Sequence, residues 1–498
     1  MNRLHNKLSE SDANMDTDLT KFLQQHPDYA TSQKIDQLRI REFSRLQNSS
    51  EVYLDYTGGG LYPDSLIDEH AELLKGNVFG NPHSHNNSSQ RASLYLEQAR
   101  QDVLTYFRAN ANDYLVIFTA NASAAIKLIA ESYPFDNHSE LLLTADNHNS
   151  VQGIREFARS KGASIRYINC QANTLLAENI KPYIDSSEAT SARLLAFPAQ
   201  SNFSGVQHPL SWIAQAKQAG YDVLLDAAAF VPNNRLDLSQ VAPDFVSISF
   251  YKMFGYPTGV GALIARRDTL TKLRRPWFAG GTVKIVSAIA DFYSLADGEA
   301  AFEEGTVNYL NLPAVSAGLK FMQEINVNTI HQRVMALTDH LLSAMQSLKH
   351  DNGQAVIELY GPKTTRDRGA TIAFNCLDIN GNYIHYDNIE KLANHHNLAI
   401  RSGCFCNPGA GESSLRHTVE TINLCRERLN SPQQQPPAPA NSSFNLTNFQ
   451  QCITSQGKAT GAVRVSLGLV SNFDDSQKLL HFLHSLINQS AQEIVKQV

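Results

Sequence analysis

The chain has 498 residues, 42% of them hydrophobic, 9% aromatic and 18% charged, a balance that excludes wholesale disorder and fits a globular protein with a sizeable core. Its 42 basic and 48 acidic residues leave a net charge of −6, and no Lys/Arg run stands out, which argues against nucleic acid or an anionic membrane as the main partner. At ~150 residues per domain the length allows roughly three units. Six scattered cysteines do not make a disulfide framework and suit a reducing compartment. Met1 to Lys21 is polar and acidic where a leader peptide needs an apolar centre, and no run of ~18 apolar residues occurs. A cytoplasmic protein, without a membrane span, is expected.

In chain order, residues 1–52 read as a polar N-terminal extension with an amphipathic helix over Lys34 to Leu46, leading into the first domain. From Asp113 short apolar runs alternate with helical stretches. Tyr114–Thr119, Glu140–Thr144, Ser164–Asn169, Leu194–Pro198, Asp222–Asp226, Phe245–Ser249 and Val260–Ala265 read as buried strands. Ala122–Ser132, Ser150–Lys161 and Ser211–Ala219 read as helices between them. This alternation predicts an α/β fold, a mostly parallel seven-stranded sheet with helices on both faces, over residues 53–312. Beyond Leu312, longer helices (Ala314–Ile325, Ile330–Lys349) and strands at Val356–Tyr360 and Ala370–Asn375 predict a smaller α+β domain over 313–498. Within it, Ser431–Asn441 is Pro/Gln-rich and is expected to be an exposed insertion. Three expected units thus become two.

Lys252 follows an apolar strand directly and precedes a Gly/Pro-rich turn, at the strand ends where open α/β sheets bind ligands. A partly desolvated lysine there can form a Schiff base, or it can simply pair with a carboxylate. Asp226 ends a strand 26 residues earlier; it can hold a pyridine nitrogen protonated in a pyridoxal phosphate site, or cap its own turn. Phe118-Thr-Ala-Asn-Ala-Ser-Ala-Ala-Ile carries a strand through small residues into a helix, so that backbone amides and the Ser123 hydroxyl can approach a phosphate. His395, His396, Cys404 and Cys406 could be weighed as metal ligands, but their spacing is not a usual zinc pattern, and no metal is expected.

Several segments recur together in a known order: Tyr53-Leu-Asp-Tyr, Gly80-Asn-Pro-His-Ser-His, Asp146-Asn-His-Asn-Ser-Val, Phe197-Pro-Ala-Gln-Ser-Asn-Phe-Ser-Gly, Phe302-Glu-Glu-Gly-Thr-Val-Asn and Arg401-Ser-Gly-Cys-Phe-Cys-Asn-Pro-Gly. From about Tyr53 to about Asp475 the chain resembles class V aminotransferase-like pyridoxal phosphate enzymes of fold type I. Within them it is similar to the cysteine desulfurase-like domain of molybdenum cofactor sulfurases. The resemblance implies pyridoxal 5'-phosphate as cofactor, carried by Lys252, with Asp226 on its ring nitrogen, His148 stacked on its ring and Asn202 beside it. Ser123 and Ser249 match phosphate-binding positions. Thr282 resembles a residue that reaches the phosphate of a neighbouring subunit, which implies a homodimer.

Arg464 matches the arginine that clamps a substrate carboxylate, with Arg401 as a second candidate; a planar guanidinium binds a carboxylate through two parallel hydrogen bonds. The match makes Cys406 the nucleophile, on a Gly-rich loop (404–406) near Arg401, which would favour its thiolate, with Cys404 a neighbouring thiol. The implied reaction is cleavage of the C–S bond of L-cysteine, with Lys252 as base at Cα, giving alanine and a persulfide on Cys406 for transfer to a sulfur acceptor. Selenocysteine lyase, epimerase or a catalytically silent scaffold are the competing readings. Two positions depart from many cysteine desulfurases: Tyr251 stands where a histidine precedes the lysine, and Ala229 where a glutamine follows the aspartate. Eukaryotic molybdenum cofactor sulfurases add a C-terminal domain that binds the molybdenum cofactor, for which a chain ending at Val498 has no room, so the expected acceptor is a separate partner or another molecule.

Overall fold

Strand formation follows the apolar runs closely. The computed structural model of the chain describes residues 18–430 and 445–498; the first 17 residues of the extension and the expected Ser431–Asn441 insertion lie outside the described residues. After a two-residue strand β1 (Val52–Tyr53), β2 (Tyr114–Thr119), β3 (Glu140–Thr144), β4 (Ser164–Ile168), β5 (Arg193–Pro198), β6 (Asp222–Asp226), β7 (Phe245–Ser249) and β8 (Gly261–Arg266) build one sheet. Its order is β2-β8-β7-β6-β5-β3-β4. β8 is antiparallel to both its neighbours, and the other pairs are parallel. Alternate residues serve opposite faces: Leu142, Val223, Leu225, Val246 and Ile248 pack into one core, and Leu141, Leu143, Leu224 and Phe245 into the other. Both faces are covered, which is why these strands read as continuous apolar runs.

The expected helix over Ser150–Lys161 is two, Asn149–Gln152 and Ile154–Ser160, parted at Gly153. A hairpin of β9 (Val283–Ser287) and β10 (Phe292–Leu295) follows the sheet. Beyond it, β11 (Ile357–Tyr360), β12 (Thr371–Cys376), β13 (Leu398–Ala399), β14 (Arg401–Gly403) and β15 (Ala462–Ser466) complete the strands. Four of these form an antiparallel sheet in the order β11-β12-β15-β14, while β13 pairs in parallel with β1. Among the described residues no helix is long and apolar enough to cross a membrane.

Two further features differ from the sequence expectations. The N-terminal extension does not merely lead into the first sheet; it docks on the C-terminal half. The expected single helix breaks into Lys34–Glu42 and Arg45–Asn48. Arg39 donates to both carboxylate oxygens of Asp475, at 2.6 and 2.9 Å, and to the Val470 carbonyl. Arg333, fully buried, donates to Ser32 Oγ at 3.0 Å and pairs with Asp36. Charged residues 297 and 436 positions apart carry no local signal of this. Second, Cys425 and Cys452 form a disulfide between the helices Val419–Asn430 and Leu446–Ser455. Two of the six cysteines are therefore paired, where cysteine usage had pointed to a reducing compartment.

Replacing Arg39 by methionine leaves the Asp475 carboxylate buried without its cation. The expected loss is about 3–5 kcal/mol of unfolding free energy, measured by urea denaturation, with the double change Arg39→Met/Asp475→Leu recovering most of it.

Candidate active site

Parallel strands end at one edge of the sheet, and their last residues and following loops enclose a cavity of about 360 Å³. Ala120, Asn121, Ala122 and Ser123 enter it after β2; His148 and Ser150 after β3; Pro198 at the end of β5, with Gln200 and Asn202 after it; Asp226 at the end of β6, with Ala228 and Ala229 after it; Ser249 at the end of β7, with Tyr251 and Lys252 after it; and Thr258 and Gly259 before β8. Six expected positions, Ser123, His148, Asn202, Asp226, Ser249 and Lys252, thus share one space. Ala229 and Tyr251, the two departures, are also in its wall.

Lys252 sits in the one-and-a-half-turn helix Phe250–Phe254 that caps β7. Among the described residues no hydrogen bond or ion pair holds its amine. Burial lowers its pKa from the usual lysine value; the Asp226 charge opposes this and Arg464 adds to it. Asp226 is itself buried. Its Oδ1 accepts from Ser247 Oγ at 3.0 Å and from the Ala228 amide at 3.1 Å, while Oδ2 has no partner among the described residues. His148 caps the helix Asn149–Gln152, its Nδ1 facing the amide and the hydroxyl of Ser150, each at 3.1 Å. An Nδ1 that accepts from an amide leaves the ring proton on Nε2. Burial also lowers the His148 pKa, with Asp226 opposing and Lys252 and Arg464 reinforcing, so the ring is neutral at neutral pH.

The helix Ala122–Ser132 aims its N-terminus at the cavity. Ser249 Oγ accepts from the Ala122 amide at 2.9 Å, the Asn121 side chain caps Ala124, and Ser123 Oγ lies 2.6 Å from Ser150 Oγ. The helix end can approach β8 because residue 261 is glycine; a Cβ there would lie 2.6 Å from the Asn121 backbone. Amide donors, helix dipole and hydroxyls make this end a place for an anion.

Four expected residues, Thr282, Arg464, Arg401 and Cys406, lie outside the cavity wall, at different removes. Thr282 is buried and closes its own turn, its hydroxyl donating to the Ala279 carbonyl at 2.9 Å and accepting from the Ala279 amide at 2.8 Å. Arg464 and Arg401 face each other across β15 and β14, and both bind Asp55. Arg464 Nη2 donates to Asp55 Oδ1 at 2.8 Å; Arg401 donates to Oδ2 through Nε at 2.8 Å and Nη2 at 2.6 Å. Arg464 Nη1 also donates to the Asn202 carbonyl at 2.9 Å, which ties it to the cavity.

Cys404 and Cys406 are free and exposed. Their loop is pinned at Phe405, Cys406 and Asn407. Asn407, fully buried, donates to the Asp146 carbonyl at 2.7 Å and to Asn202 Oδ1 at 2.9 Å. The Cys406 carbonyl accepts from the Asn149 amide at 2.7 Å, and the Phe405 carbonyl from Asn202 Nδ2 at 2.7 Å. Cys406 is thereby held beside the residues that flank His148 and Asn202, while the Arg401 guanidinium expected near it is engaged by Asp55. Among the described residues no group of three or more His, Cys, Asp or Glu side chains is placed to hold a metal ion.

Sequence reasoning missed Asp55, Asn407, Gln200 and Ser150. Asp55 and Asn407 stood inside the quoted segments Tyr53-Leu-Asp-Tyr and Gly-Cys-Phe-Cys-Asn-Pro-Gly; the signal was present without a partner to give it meaning.

The aminotransferase class-V family model matches residues 52–427, and the chain belongs to that family. It is 33% identical over 516 residues to a molybdenum cofactor sulfurase of Solanum lycopersicum, covering 95% of this chain and 60% of that one. It is 35% identical over 474 residues to one of Homo sapiens, covering 90% and 51%. The chain thus spans only about half to three-fifths of the length of these curated relatives. In structure it is similar to a cysteine desulfurase of Thermococcus onnurineus NA1, with a TM-score of 0.71 at 20% identity over 91% of this chain and 98% of that one. A cysteine desulfurase of Escherichia coli gives 0.68 at 19% identity over 91% and 98%. These likenesses establish the fold as the type I transferase fold expected from the sequence.

Because its amine is unpaired and its pKa is lowered, Lys252 should acylate at a lower pH than the other lysines. A pH series with an amine-selective reagent, read by peptide mass mapping, is expected to place its half-labelling point below theirs. Asp226→Asn, which removes the charge opposing the shift, should move that point lower still.

Proposed function

We propose that the chain is a pyridoxal 5'-phosphate-dependent cysteine desulfurase of the molybdenum cofactor sulfurase type, which cleaves the C–S bond of L-cysteine and leaves alanine and a persulfide on Cys406. The observation that carries this reading is the convergence of Lys252, Asp226, His148 and the N-terminus of helix Ala122–Ser132 on one cavity, with the Cys406 loop fastened at its rim through Asn149 and Asn202.

The residues present fit the cofactor. An amine without an ion pair, a buried carboxylate with one unpartnered oxygen, and a helix end flanked by Ser123 and Ser249 are the donors and acceptors that an aldehyde, a protonated pyridine nitrogen and a phosphate require. Lys252 would carry the group, Asp226 would face its ring nitrogen, His148 its ring, and Ser123, Ser249 and the helix end its phosphate. When bound, pyridoxal phosphate supplies an electron sink that acidifies the Cα–H of an amino acid.

The remaining work falls to the chain. Arg401 and Arg464 bind the substrate carboxylate and orient Cα. Lys252, neutral at a lower pH than an ordinary lysine, takes the Cα proton at Nζ and returns a proton later. The Cys406 thiolate attacks the substrate sulfur; the Sγ–Sγ bond forms as the substrate Cβ–Sγ bond breaks, and Cβ takes up a proton to give alanine. The persulfide then passes to an acceptor. The name borne by the sulfurase relatives makes the molybdenum cofactor the first acceptor to examine.

A homodimer belongs to the same reading. The β9–β10 hairpin exposes Ile285, Val286, Ile289, Phe292 and Tyr293, and its base joins the Thr282 turn through the Ala296 amide and Thr282 carbonyl, at 2.8 Å. So large an apolar set at the surface fits a second copy.

Purified protein supplied with pyridoxal phosphate should gain a visible absorbance band and convert L-cysteine to alanine and sulfide under reductant. Lys252→Ala should abolish both. Cys406→Ala should keep the band and lose sulfide release by at least about a hundredfold; sulfide release unaffected by Cys406→Ala would remove the persulfide step, and alanine formed from selenocysteine but not cysteine would favour the lyase. Ile289→Asp/Phe292→Asp should shift the sedimentation coefficient from dimer to monomer.

A further inference from the structure

Arg401 and Arg464 are directly opposed on neighbouring strands, a placement in which like charges repel. Asp55 lies between them, delivered by the chain just after β1 through a bridge to Ser466. It is nearly buried, and among the described residues it is the only carboxylate bonded to either guanidinium. The local backbone is shaped for it. The Gly58 and Gly59 amides both turn back to the Asp55 carbonyl, at 2.9 and 3.1 Å, and a Cβ on Gly58 would lie 2.4 Å from Asp55 Oδ2 and 2.7 Å from Arg401 Nη2. Only glycine lets the carboxylate and guanidinium meet there.

The bonding leaves particular donors over. Arg464 is buried over the Phe405 ring, 4.8 Å from its centroid, and its Nε has no hydrogen-bond partner. Arg401 keeps about half its side chain exposed, with Nη1 unbonded among the described residues. Two cations and one anion leave a net charge of +1 in this cluster, which is joined to the cavity residue Asn202 through Arg464 Nη1.

We propose that Asp55 is the positioning and specificity residue of the substrate-carboxylate site: it fixes both guanidiniums and cancels one of their charges, matching the site to an amino acid with a single acid group. Rejection of amino acids bearing a second acid group on the side chain follows from the count. An α-carboxylate brings the cluster to neutrality. A further side-chain acid leaves an uncompensated negative charge in a largely buried site, which is costly. This inference rests on the desulfurase reading for the identity of the substrate.

The test compares L-cysteine with L-cysteine sulfinate as substrates of the holoenzyme, and L-alanine with L-aspartate as ligands by calorimetry. In Asp55→Asn the kcat/KM ratio of sulfinate to cysteine should rise on the order of tenfold, mainly through KM, and the aspartate-to-alanine affinity ratio should rise with it. Asp55→Glu should keep the wild-type ratios. Asp55→Asn/Arg401→Gln, which restores the net charge of +1, should return both ratios toward wild type. A merely structural role would weaken all four ligands alike, and unchanged ratios in a folded Asp55→Asn protein would overturn the proposal. If Asp55→Asn does not fold, Arg401→Gln alone takes the cluster to neutrality and must lower both ratios; failure to do so overturns it equally. A wild-type protein inert toward cysteine would defeat the desulfurase reading, while the alanine and aspartate affinities would still decide the role of Asp55.

Discussion

The site depends on the parallel pairing of β5, β6 and β7 with both faces buried. Parallel strands have their C-terminal ends at the same edge, so Asn202, Asp226 and Lys252, distant in sequence, are delivered to one place by the sheet itself. β8 returns antiparallel beside β7 and starts at that same edge, which adds Thr258 and Gly259 and, through the small Gly261, admits the helix N-terminus. A slip of one residue in β6 would turn Asp226 to the opposite face. The apolar alternation of Val223, Leu224 and Leu225 between two cores forbids that slip. Core packing therefore sets the register of the Asp226 carboxylate in the cavity wall.

Electrostatics builds on this frame. Three cations, Lys252, Arg464 and Arg401, and two carboxylates, Asp226 and Asp55, surround the cavity and its approach. Burial and Arg464 lower the Lys252 pKa while Asp226 holds it up, and burial also lowers that of Arg464, with Asp55 opposing. Desolvated charges of this kind destabilise the empty protein. An anionic ligand relieves part of that cost, so the arrangement spends stability on binding, as functional sites commonly do.

How much of this was legible in the sequence follows the range of the interactions. The seven strands came within a residue of their observed bounds because each is a short apolar run closed by polar or small residues. Six cavity residues were identified because their segments are contiguous and recur in a known order. Asp55 and the docking of the extension on Asp475 and Arg333 were not legible, because each rests on partners hundreds of residues away, and a lone Asp or Arg carries no periodic signal. Thr282 illustrates the converse: a segment can match a motif while its hydroxyl is satisfied by its own turn. The Cys425–Cys452 bridge was hidden by the intervening insertion, which separates two cysteines that the paired helices bring together.

The loop that bears Cys406 shows how the two sheets act as one device. Phe405 and Cys406 both have positive φ, 54° and 53°, an uncommon conformation for residues with side chains, costing about 1–3 kcal/mol each. Such strain persists only where the surroundings over-determine it. Here Asn407 is locked to Asp146 and Asn202, and Phe405 lies against Phe203 and beneath Arg464. Asn202 donates to the Phe405 carbonyl and accepts, through its own carbonyl, from Arg464. One asparagine thus touches the cavity, the thiol loop and Arg464 together. Any ligand that draws on the Arg464 guanidinium acts on the same contacts that hold the thiol loop in its strained shape. On the proposed reading, a substrate carboxylate at Arg464 and the Cys406 sulfur would be linked through these contiguous contacts, not by a distant signal.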